Sequence, residues 1–300
     1  MIQVDDCPAC HKSSFAHFAD SNHAEIALQY WICRSCGLVF QSPRQSEEEL
    51  RGFYQKGYRT LYQDSELPTK KDAVIQKTRA ALTVKMIRQQ IPSIARHLDI
   101  GSSSGALLQA VRAAYRNEMV GVEPGEGYRR FSEADGVKAF GSIDELLNAK
   151  VGSFDFVSMM HVLEHLVDPL HVLKTMAKEI LTPAGYVLIE VPNLYEHASF
   201  ALAHLYAFTP ETLANLVRRA GFQVLWSKAH GSFRSPILKL YITLLAQLPD
   251  PPVTQRIIPV RARSIRFRRT IGEYKRRVLT RFLPDWTWQA PEILWEDDGA

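Results

Sequence analysis

Short apolar segments alternate with segments of helical periodicity through the middle of this sequence. Residues 153–160 (SFDFVSMM) and 185–192 (GYVLIEVP) are nearly continuous apolar runs, which are typical of strands buried on both faces of a sheet. Between them, residues 169–181 repeat apolar side chains at the spacing of an amphipathic helix. The same alternation predicts an α/β fold with a parallel, doubly wound sheet. It adds strands at 95–100, 118–123 and 222–226 and helices at 103–115, 127–136 and 209–221.

The segments on either side of this alternating region have different patterns. Upstream, residues 72–90 have helical spacing and end before Pro92. Downstream, residues 222–226 are the last strand that the pattern predicts, and residues 249–252 (PDPP) are typical of a linker. Beyond the linker, apolar residues recur at helical spacing among Arg and Lys, which predicts a basic amphipathic helix. These apolar residues are Phe267, Ile271, Tyr274, Val278 and Phe282.

All the cysteines lie within the first 36 residues, as two CxxC pairs. Two thiolates separated by two residues bind one metal ion, and two such pairs complete the tetrahedral four-sulfur shell of a structural zinc site. The 22 residues between the pairs slightly exceed the common spacing, and Gly37 follows the second pair, where such a turn often needs a left-handed residue. We predict a structural zinc ribbon, with redox dithiols or unligated thiols as alternatives. Its ligands are Cys7, Cys10, Cys33 and Cys36.

Positive charge is concentrated near the end of the sequence. Residues 251–281 contain ten Lys and Arg against one acid, Glu273, so this segment carries +9 and the remainder −5 of the net +4. A basic amphipathic helix is compatible with packing on the protein, with peripheral contact to an anionic membrane, or with binding to phosphate backbones. We rank these three interpretations in that order, so a nucleic acid partner is the least favoured.

The sequence indicates a cytoplasmic protein. The first residues, MIQVDD, have neither the basic nor the apolar segment of a signal peptide. The longest apolar candidate for a spanning helix, residues 237–248, is shorter than the ~20 residues required. Because cytoplasmic thiols stay reduced, this expectation also favours metal binding over disulfides.

A turn that contains glycine follows the strand predicted at 95–100. In LDIGSSSGALL, Asp99, Gly101 and Gly105 lie where the strand passes into a helix. Ligands bind at the carboxyl ends of strands in such sheets, and glycine lets a ligand approach the backbone closely. Glu123 ends the next strand 22 residues after Gly101, which suits a carboxylate that binds ribose hydroxyls. The spacing matches neither the dinucleotide fingerprint nor the triphosphate loop, so it favours a nucleoside ligand of another kind.

Together, the segments of residues 94–226 resemble class I S-adenosylmethionine-dependent methyltransferases. They are HLDIGSSSGALL, VGVEP, FDFVSMMHVLEHLVDP, GYVLIEVPN and HLYAFTPETLANLVRRAGF, in that order. The leading CPAC and CRSCGLVF resemble the zinc-ribbon branch, which includes sugar C-methyltransferases and enzymes of cell-surface polysaccharide and natural-product pathways. The resemblance implies a Rossmann-like, mostly parallel sheet of seven strands.

The resemblance also implies how S-adenosylmethionine is held. The turn and its preceding acid would bind the amino-acid part, Glu123 the ribose, and His161 would flank the sulfonium or methionyl part. Ser142 would lie near the adenine, although the acidic or amide residue often found there is missing. The expected cofactor-binding residues are Asp99, Gly101, Ser102, Gly105, Glu123, Ser142 and His161.

Candidate bases follow two of the predicted strands. His165 lies in HVLEH, a stretch that in the resembled family recurs across unrelated substrates and therefore also suits a role in the cofactor pocket. His204 and Tyr206 lie in a loop, where specificity often resides, and a histidine of near-neutral pKa can accept a proton from the substrate. Leu202-Ala203-His204 departs from the His–Glu–His run of the resembled sugar C-methyltransferases, which lowers our expectation of carbon methylation and leaves O-methylation open.

These patterns divide the chain into four parts. We predict a zinc ribbon (1–42), a helical linker (43–92), an S-adenosylmethionine-binding domain (93–249) and a basic amphipathic C-terminal region (250–300). The predicted function is methyl transfer to a small-molecule or saccharide acceptor. One alternative is a guanine-type rRNA methyltransferase, although the N/D-P-P-Y/F signature of amino-methylating enzymes is missing. The other is a non-catalytic zinc-ribbon scaffold, which would have no need of the glycine turn and Glu123.

Overall fold

The computed structural model describes residues 1–23, 26–56, 67–198 and 200–289. Its strands form one sheet of seven and one of four. The strands are β1 (Phe15–His23), β2 (Ile26–Cys33), β3 (Val39–Gln41), β4 (Arg96–Ile100), β5 (Glu118–Val122), β6 (Lys138–Phe140), β7 (Phe154–Met160), β8 (Leu181–Pro192), β9 (Tyr206–Ala207), β10 (Gln223–His230) and β11 (Tyr241–Gln247). The helices are α1 (Glu47–Lys56), α2 (Lys70–Ile87), α3 (Ala106–Tyr115), α4 (Glu126–Ala134), α5 (Ile143–Asn148), α6 (Pro169–Thr175), α7 (Pro210–Arg219), α8 (Ala262–Phe282) and α9 (Pro284–Thr287).

The seven-stranded sheet has the order β10-β11-β8-β7-β4-β5-β6. From β8 to β6 all neighbouring strands are parallel, whereas β11 runs antiparallel to β10 and β8. This architecture confirms the predicted α/β class and the mostly parallel sheet of seven strands. It also brings the ends of β4, β5 and β7 to one edge of the sheet.

Helices cover both faces of the sheet. Phe156 and Leu188 pack with residues of α2 and α3 on one face, whereas Val157 and Val187, one residue away, pack with residues of α6 and α7 on the other. Because neighbouring side chains of a strand point to opposite faces, both sets must be apolar. This two-sided burial explains the continuous apolar runs in the sequence.

Strand β11 and the helix expected over residues 169–181 are among the elements that differ from the sequence-based prediction. Strand β11 was missed, because a short apolar run without alternation does not distinguish a strand from a buried helix. Its residues form a strand because they pair with β10 on one side and with β8 on the other. The helix expected over residues 169–181 ends at Thr175, continues as a π-helical turn over Met176–Ile180, and gives way to β8 at Leu181.

The four-stranded sheet joins the N-terminal region to the rest of the protein. Its order is β1-β2-β3-β9, so its last strand comes from beyond β8 in the sequence. Arg44 strengthens the junction by donating to Tyr206 Oη at 2.6 Å and to the Val167 carbonyl at 3.1 Å. Residues 1–42 therefore pack as part of a larger unit, and the predicted division into domains remains a prediction.

The predicted basic helix is confirmed as α8, although it is not oriented as a simple amphipathic pattern would suggest. Ile265, Arg269 and Gly272 are buried against the body of the protein, while Phe267 and Tyr274 are exposed. None of the described helices is both long and apolar enough to cross a membrane. Residues 290–300 of the predicted C-terminal region lie outside the described part of the chain.

Candidate functional site

A cavity of about 310 Å³ opens at the carboxyl ends of β4, β5 and β7, and α2 forms a further wall. Its size lies at the lower end of the range for small-ligand pockets, roughly 300–1,000 Å³. Several of the residues predicted to bind cofactor meet there although they come from distant parts of the sequence. The polar residues and glycine that line it include Gln76, Arg79, Thr83, Asp99, Gly101, Ser102, Ser103, Glu123, His161 and His165.

The glycine turn forms the floor of this cavity. Gly101 has a left-handed backbone with φ of +76°, and a Cβ added to it would overlap Cγ2 of Val162. The backbone amides of Gly101 and Ser102 donate to the Val122 carbonyl at 2.7 and 3.0 Å, which ties the turn to the end of β5. Gly105 does not line the cavity. A Cβ there would lie 3.2 Å from both Ser132 and Val137, so this glycine serves packing against α4 and its following turn.

Asp99 is a buried acid at the end of β4. Its Oδ1 accepts a 2.6 Å hydrogen bond from the Ser158 hydroxyl, and that hydroxyl oxygen accepts one from His97 Nε2 at 2.7 Å. Burial raises the pKa of Asp99 to about 7, Ser158 opposes the rise and nearby Glu123 adds to it. A buried carboxylate of this kind gains the most from a cationic partner in the cavity.

Glu123 is held rigidly at the end of β5. Its Oε2 accepts from the Ser103 amide and its Oε1 from the Gly125 amide, both at 2.9 Å. The side chain is only 3% exposed, yet it lines the cavity. Each carboxylate oxygen can accept a second hydrogen bond, so this orientation is compatible with the binding of a ligand hydroxyl.

Helix α2 contributes residues that the sequence analysis did not select. Gln76 Nε2 donates to Ser103 Oγ at 2.9 Å, and Gln76 Oε1 accepts from Ser104 Oγ, so this side chain holds α2 over the glycine turn. Arg79 and Thr83 follow on the same helical face and also line the cavity. The signal was present, because polar residues at positions 76, 79 and 83 recur at helical spacing on a helix that must pack against the sheet.

A cluster of ionisable side chains lies at the wall of the cavity that follows β7, where His161 and His165 are lining residues. His165 Nδ1 lies 2.8 Å from the Ala203 carbonyl and therefore donates to it, while His165 Nε2 lies 3.8 Å from Glu164 Oε1. The rings of His165 and His204 are 4.9 Å apart, and Glu164, His165 and His204 each place a ligand atom within 4.8 Å of the others. The loop after β8 and the turn after β7 thus meet at this wall.

Electrostatics set the charge states of this cluster. Burial disfavours an ionised Glu164, but favourable electrostatics with His165, His161 and His204, together with the close contact from His161 Nδ1, outweigh burial and lower its pKa to about 2. Burial lowers the pKa of His165 despite the opposing carboxylate of Glu164. The His165 ring therefore favours its neutral form, and His161, whose pKa is raised, is the cation that balances the Glu164 carboxylate.

His161 lies between two carboxylates. Its Nδ1 is 3.5 Å from Glu164 Oε1 and its Nε2 is 3.1 Å from Glu190 Oε1. Burial and Arg79 act against the charged ring, yet the two carboxylates prevail and the pKa of His161 is raised. Its backbone is left-handed, with φ of +58°, which is costly for a non-glycine residue and directs the strand end into the cavity wall.

Three other predicted residues lie outside the cavity lining. Tyr206 is 1% exposed, and its hydroxyl donates to the Val167 carbonyl at 2.7 Å and accepts from Arg44, so this hydroxyl is engaged within the protein and its contact with substrate stays a prediction. Ser142 caps α5 by accepting from the Glu145 amide at 3.1 Å. His204 is linked to the cavity through the ring of His165.

The four cysteine thiols converge in the N-terminal region. The Sγ atoms of Cys7 and Cys36 are 3.5 Å apart, those of Cys10 and Cys33 are 3.6 Å apart, and all four sulfurs lie within 4.8 Å of one another. A tetrahedral zinc site with Zn–S bonds of about 2.3 Å has sulfurs roughly 3.8 Å apart, so the cluster fits such an ion. Gly37 adopts the expected left-handed backbone, with φ of +78°.

Comparison with known proteins identifies the chemistry of the cavity. Residues 66–226 match the family described as a methyltransferase domain, which is more than half of the chain. The chain belongs to this methyltransferase family. The match begins upstream of α2, in agreement with the contribution of α2 to the cavity.

One curated relative of this methyltransferase is the ubiquinone biosynthesis O-methyltransferase of Dinoroseobacter shibae. The two sequences are 31% identical over 151 residues, which cover 43% of this chain and 60% of the relative. The methyltransferase thus spans about three fifths of the length of that relative.

Solved structures with a similar fold include S-adenosylmethionine-dependent methyltransferases from Thermotoga maritima and Archaeoglobus fulgidus. The first is 22% identical, with a TM-score of 0.45, and covers 58% of this chain and 91% of its own. The second is 21% identical, with a TM-score of 0.46, and covers 57% of this chain and 96% of its own.

The cavity therefore lies within a class I, S-adenosylmethionine-dependent methyltransferase domain. Membership of the family replaces the alternative of a non-catalytic scaffold.

Proposed function

We propose that this enzyme methylates a hydroxyl group of a small-molecule or saccharide acceptor, with His165 as the general base. The observation that carries the proposal is the position of His165 in the cavity wall, backed by the ionised Glu164. O-methylation agrees with the activity for which the Dinoroseobacter relative is named. Methylation of carbon is the less favoured variant.

The residues of the cavity fit S-adenosylmethionine, which when bound supplies an electrophilic methyl group. Asp99 offers a buried negative charge to the cationic amino-acid part, and the bare backbone at Gly101 allows close approach. Glu123 is oriented to accept hydrogen bonds from ribose hydroxyls. Gln76 and Arg79 on α2 line this side of the cavity.

His165 is suited to accept the proton of an acceptor hydroxyl. Because Nδ1 donates to the Ala203 carbonyl, the neutral ring carries its lone pair on Nε2, the nitrogen nearer to Glu164. Protonation of Nε2 creates a cation that the nearby Glu164 carboxylate stabilises. In contrast to the Ser–His–Asp arrangement, the carboxylate lies beside the nitrogen that accepts the proton. His204 packs against the ring of His165 and so helps to position that ring.

We further propose that Cys7, Cys10, Cys33 and Cys36 hold a structural zinc ion. Four sulfur ligands close the coordination shell, so the ion would stabilise the fold and take no part in catalysis. The cysteines belong to the same hydrophobic core as Leu205 and Phe208, which follow His204 in the loop after β8. Zinc would thereby stabilise the junction between the N-terminal region and this loop.

Two measurements test the assignment of His165. Calorimetric titration with S-adenosylmethionine should give the same affinity for the wild type and for His165→Gln. Transfer of a labelled methyl group to hydroxylated small molecules, nucleotide sugars and lipid-linked glycans should fall about 10²–10⁴-fold in the variant, the range for loss of a general base. The matched control is His171→Gln, on the exposed side of α6.

Two outcomes would contradict the proposal. Equal transfer rates for the wild type and His165→Gln would exclude His165 as the base. Labelling of rRNA in preference to all small acceptors would instead favour the nucleic acid alternative.

A further inference from the structure

Helix α8 presents an apolar stripe to solvent. Phe267, Ile271, Tyr274 and Phe282 are 67%, 50%, 68% and 71% exposed, and their spacing places them on one face of the helix. Monomeric soluble proteins rarely leave contiguous large apolar side chains uncovered in this way. The stripe therefore calls for a partner.

This stripe is exposed because the opposite face of α8 packs tightly against the body of the protein. Gly272 lies against the backbone at Tyr195, where a Cβ would overlap the carbonyl oxygen. Arg269 is 5% exposed and donates to the carbonyls of Leu194 and His197, and its guanidinium lies 2.7 Å from Glu273. These contacts fix the rotation of α8 about its axis, so the apolar stripe points away from the protein.

Cations border the stripe. Arg263, Arg277 and Arg281 are exposed and form no ion pair within the part of the chain that the structure describes. By contrast, Arg268 and Lys275 pair with Glu211 and Glu196 on the body of the protein. The cations beside the stripe are thus available to an external anionic surface.

The apolar surface continues beyond the end of α8. Leu283, Trp286 and Trp288 are 43%, 53% and 55% exposed. Trp is enriched where protein meets the boundary between lipid headgroups and acyl chains. A helix with an exposed apolar stripe, bordering Arg and adjacent Trp is suited to lie in that boundary.

We propose that the surface formed by α8 and residues 283–288 docks the methyltransferase on an anionic phospholipid bilayer. Apolar side chains insert among the acyl chains while Arg263, Arg277 and Arg281 contact lipid phosphates. A nucleic acid would use the cations but would leave Ile271 and Phe282 in water, and pairing of two copies through this face would bring like charges together. The proposal is independent of the identity of the acceptor.

Vesicle co-sedimentation of the full chain tests the proposal. Binding is expected to vesicles of 30% phosphatidylglycerol in phosphatidylcholine, and weak binding to phosphatidylcholine alone. Replacement of the three arginines by Gln should lower the partition coefficient about 100-fold, because each cation near an anionic surface contributes about 1 kcal/mol. Phe267→Ser combined with Ile271→Ser and Phe282→Ser should lower it at least 10-fold.

Matched controls separate this surface from general effects. Phe131→Ser with Leu225→Ser removes exposed apolar side chains elsewhere, and Arg112→Gln with Lys150→Gln and Lys178→Gln removes three exposed cations elsewhere. Both control proteins should bind the anionic vesicles like the wild type. All variants should bind S-adenosylmethionine normally, which verifies that they are folded.

Three outcomes would overturn the proposal. The first is no binding of the wild type to anionic vesicles, and the second is equal binding by the α8 variants. The third is a dimer, seen by analytical ultracentrifugation, that dissociates when the stripe is replaced and that shows no vesicle binding. Binding of RNA without vesicle binding would assign the surface to a nucleic acid instead.

Discussion

The ionised carboxylate of Asp99 should lower the stability of the folded protein, because burial disfavours its charged form. The same charge should favour binding of the cationic part of S-adenosylmethionine. The pKa of Asp99 is raised from the ordinary value of 3.8 to about 7, chiefly by burial. Each tenfold change in an equilibrium corresponds to about 1.36 kcal/mol, so ionisation of Asp99 in the folded protein is on the order of 4 kcal/mol less favourable than in the unfolded chain. Asp99→Asn removes this charge, while its amide oxygen still accepts the hydrogen bond of Ser158.

The effect of this substitution should depend on pH. Near pH 4 Asp99 is protonated in the folded protein, so the wild type and the variant should have similar free energies of unfolding. Between pH 4 and 7 the unfolded chain releases the proton and the folded protein keeps it, so stability of the wild type falls as pH rises. At pH 8 the variant should be more stable by up to about 4 kcal/mol.

Urea denaturation followed by circular dichroism at pH 4.5 and pH 8 measures this difference, with Glu133→Gln as the control for loss of an exposed carboxyl. Calorimetry at pH 8 should show that Asp99→Asn has lost detectable affinity for S-adenosylmethionine. The affinity of the wild type should decline as pH falls below 7, because protonation removes the same charge. A variant that is less stable at pH 8, or whose stability difference is the same at both pH values, would refute the argument.

Two further predictions concern the glycine turn and the thiol cluster. Gly101→Ala should destabilise the protein by about 1–3 kcal/mol, since it adds backbone strain and an overlap with Val162, and should weaken S-adenosylmethionine binding; unchanged urea midpoint and affinity would contradict this. Cys33→Ser should reduce bound zinc, measured by mass spectrometry of the metal, from one ion per chain to none and lower Tm. Ser35→Ala, in the same turn, should keep the ion, and a variant of Cys33 that is metal-free and equally stable would argue against a structural role.

Local sequence was sufficient to predict those features in which a residue type has a single physical role. The apolar runs of β7 and β8 identify buried strands, and the turn from Asp99 to Gly105 identifies the edge of the sheet where the cavity opens. The spacing of the cysteines likewise predicted a four-thiol cluster, and the four sulfurs do lie together in the fold. In each case the information lies within a few residues, so no distant contact is needed to interpret it.

Distant contacts decided the remainder. Strand β11 exists because β8 and β10 offer hydrogen-bonding partners on both sides, and nothing in its own residues distinguishes it from a helix. Tyr206 and His204 are two residues apart in the sequence, but their surroundings differ. The Tyr206 hydroxyl accepts a hydrogen bond from Arg44, whereas the His204 ring packs on His165. Their different environments come from residues about 40 to 160 positions away.

The sequence by itself determined the α/β class, the methyltransferase family, the edge of the sheet at which the cavity opens and the position of the cysteine pairs. Tertiary structure decided which polar groups reach the cavity, including Gln76 and Arg79 of α2, and which face of α8 remains in water. The physical reason is that periodicity and turn chemistry act over one or two turns of chain. Burial, ionisation and exposure depend on what the folded chain places against each side chain.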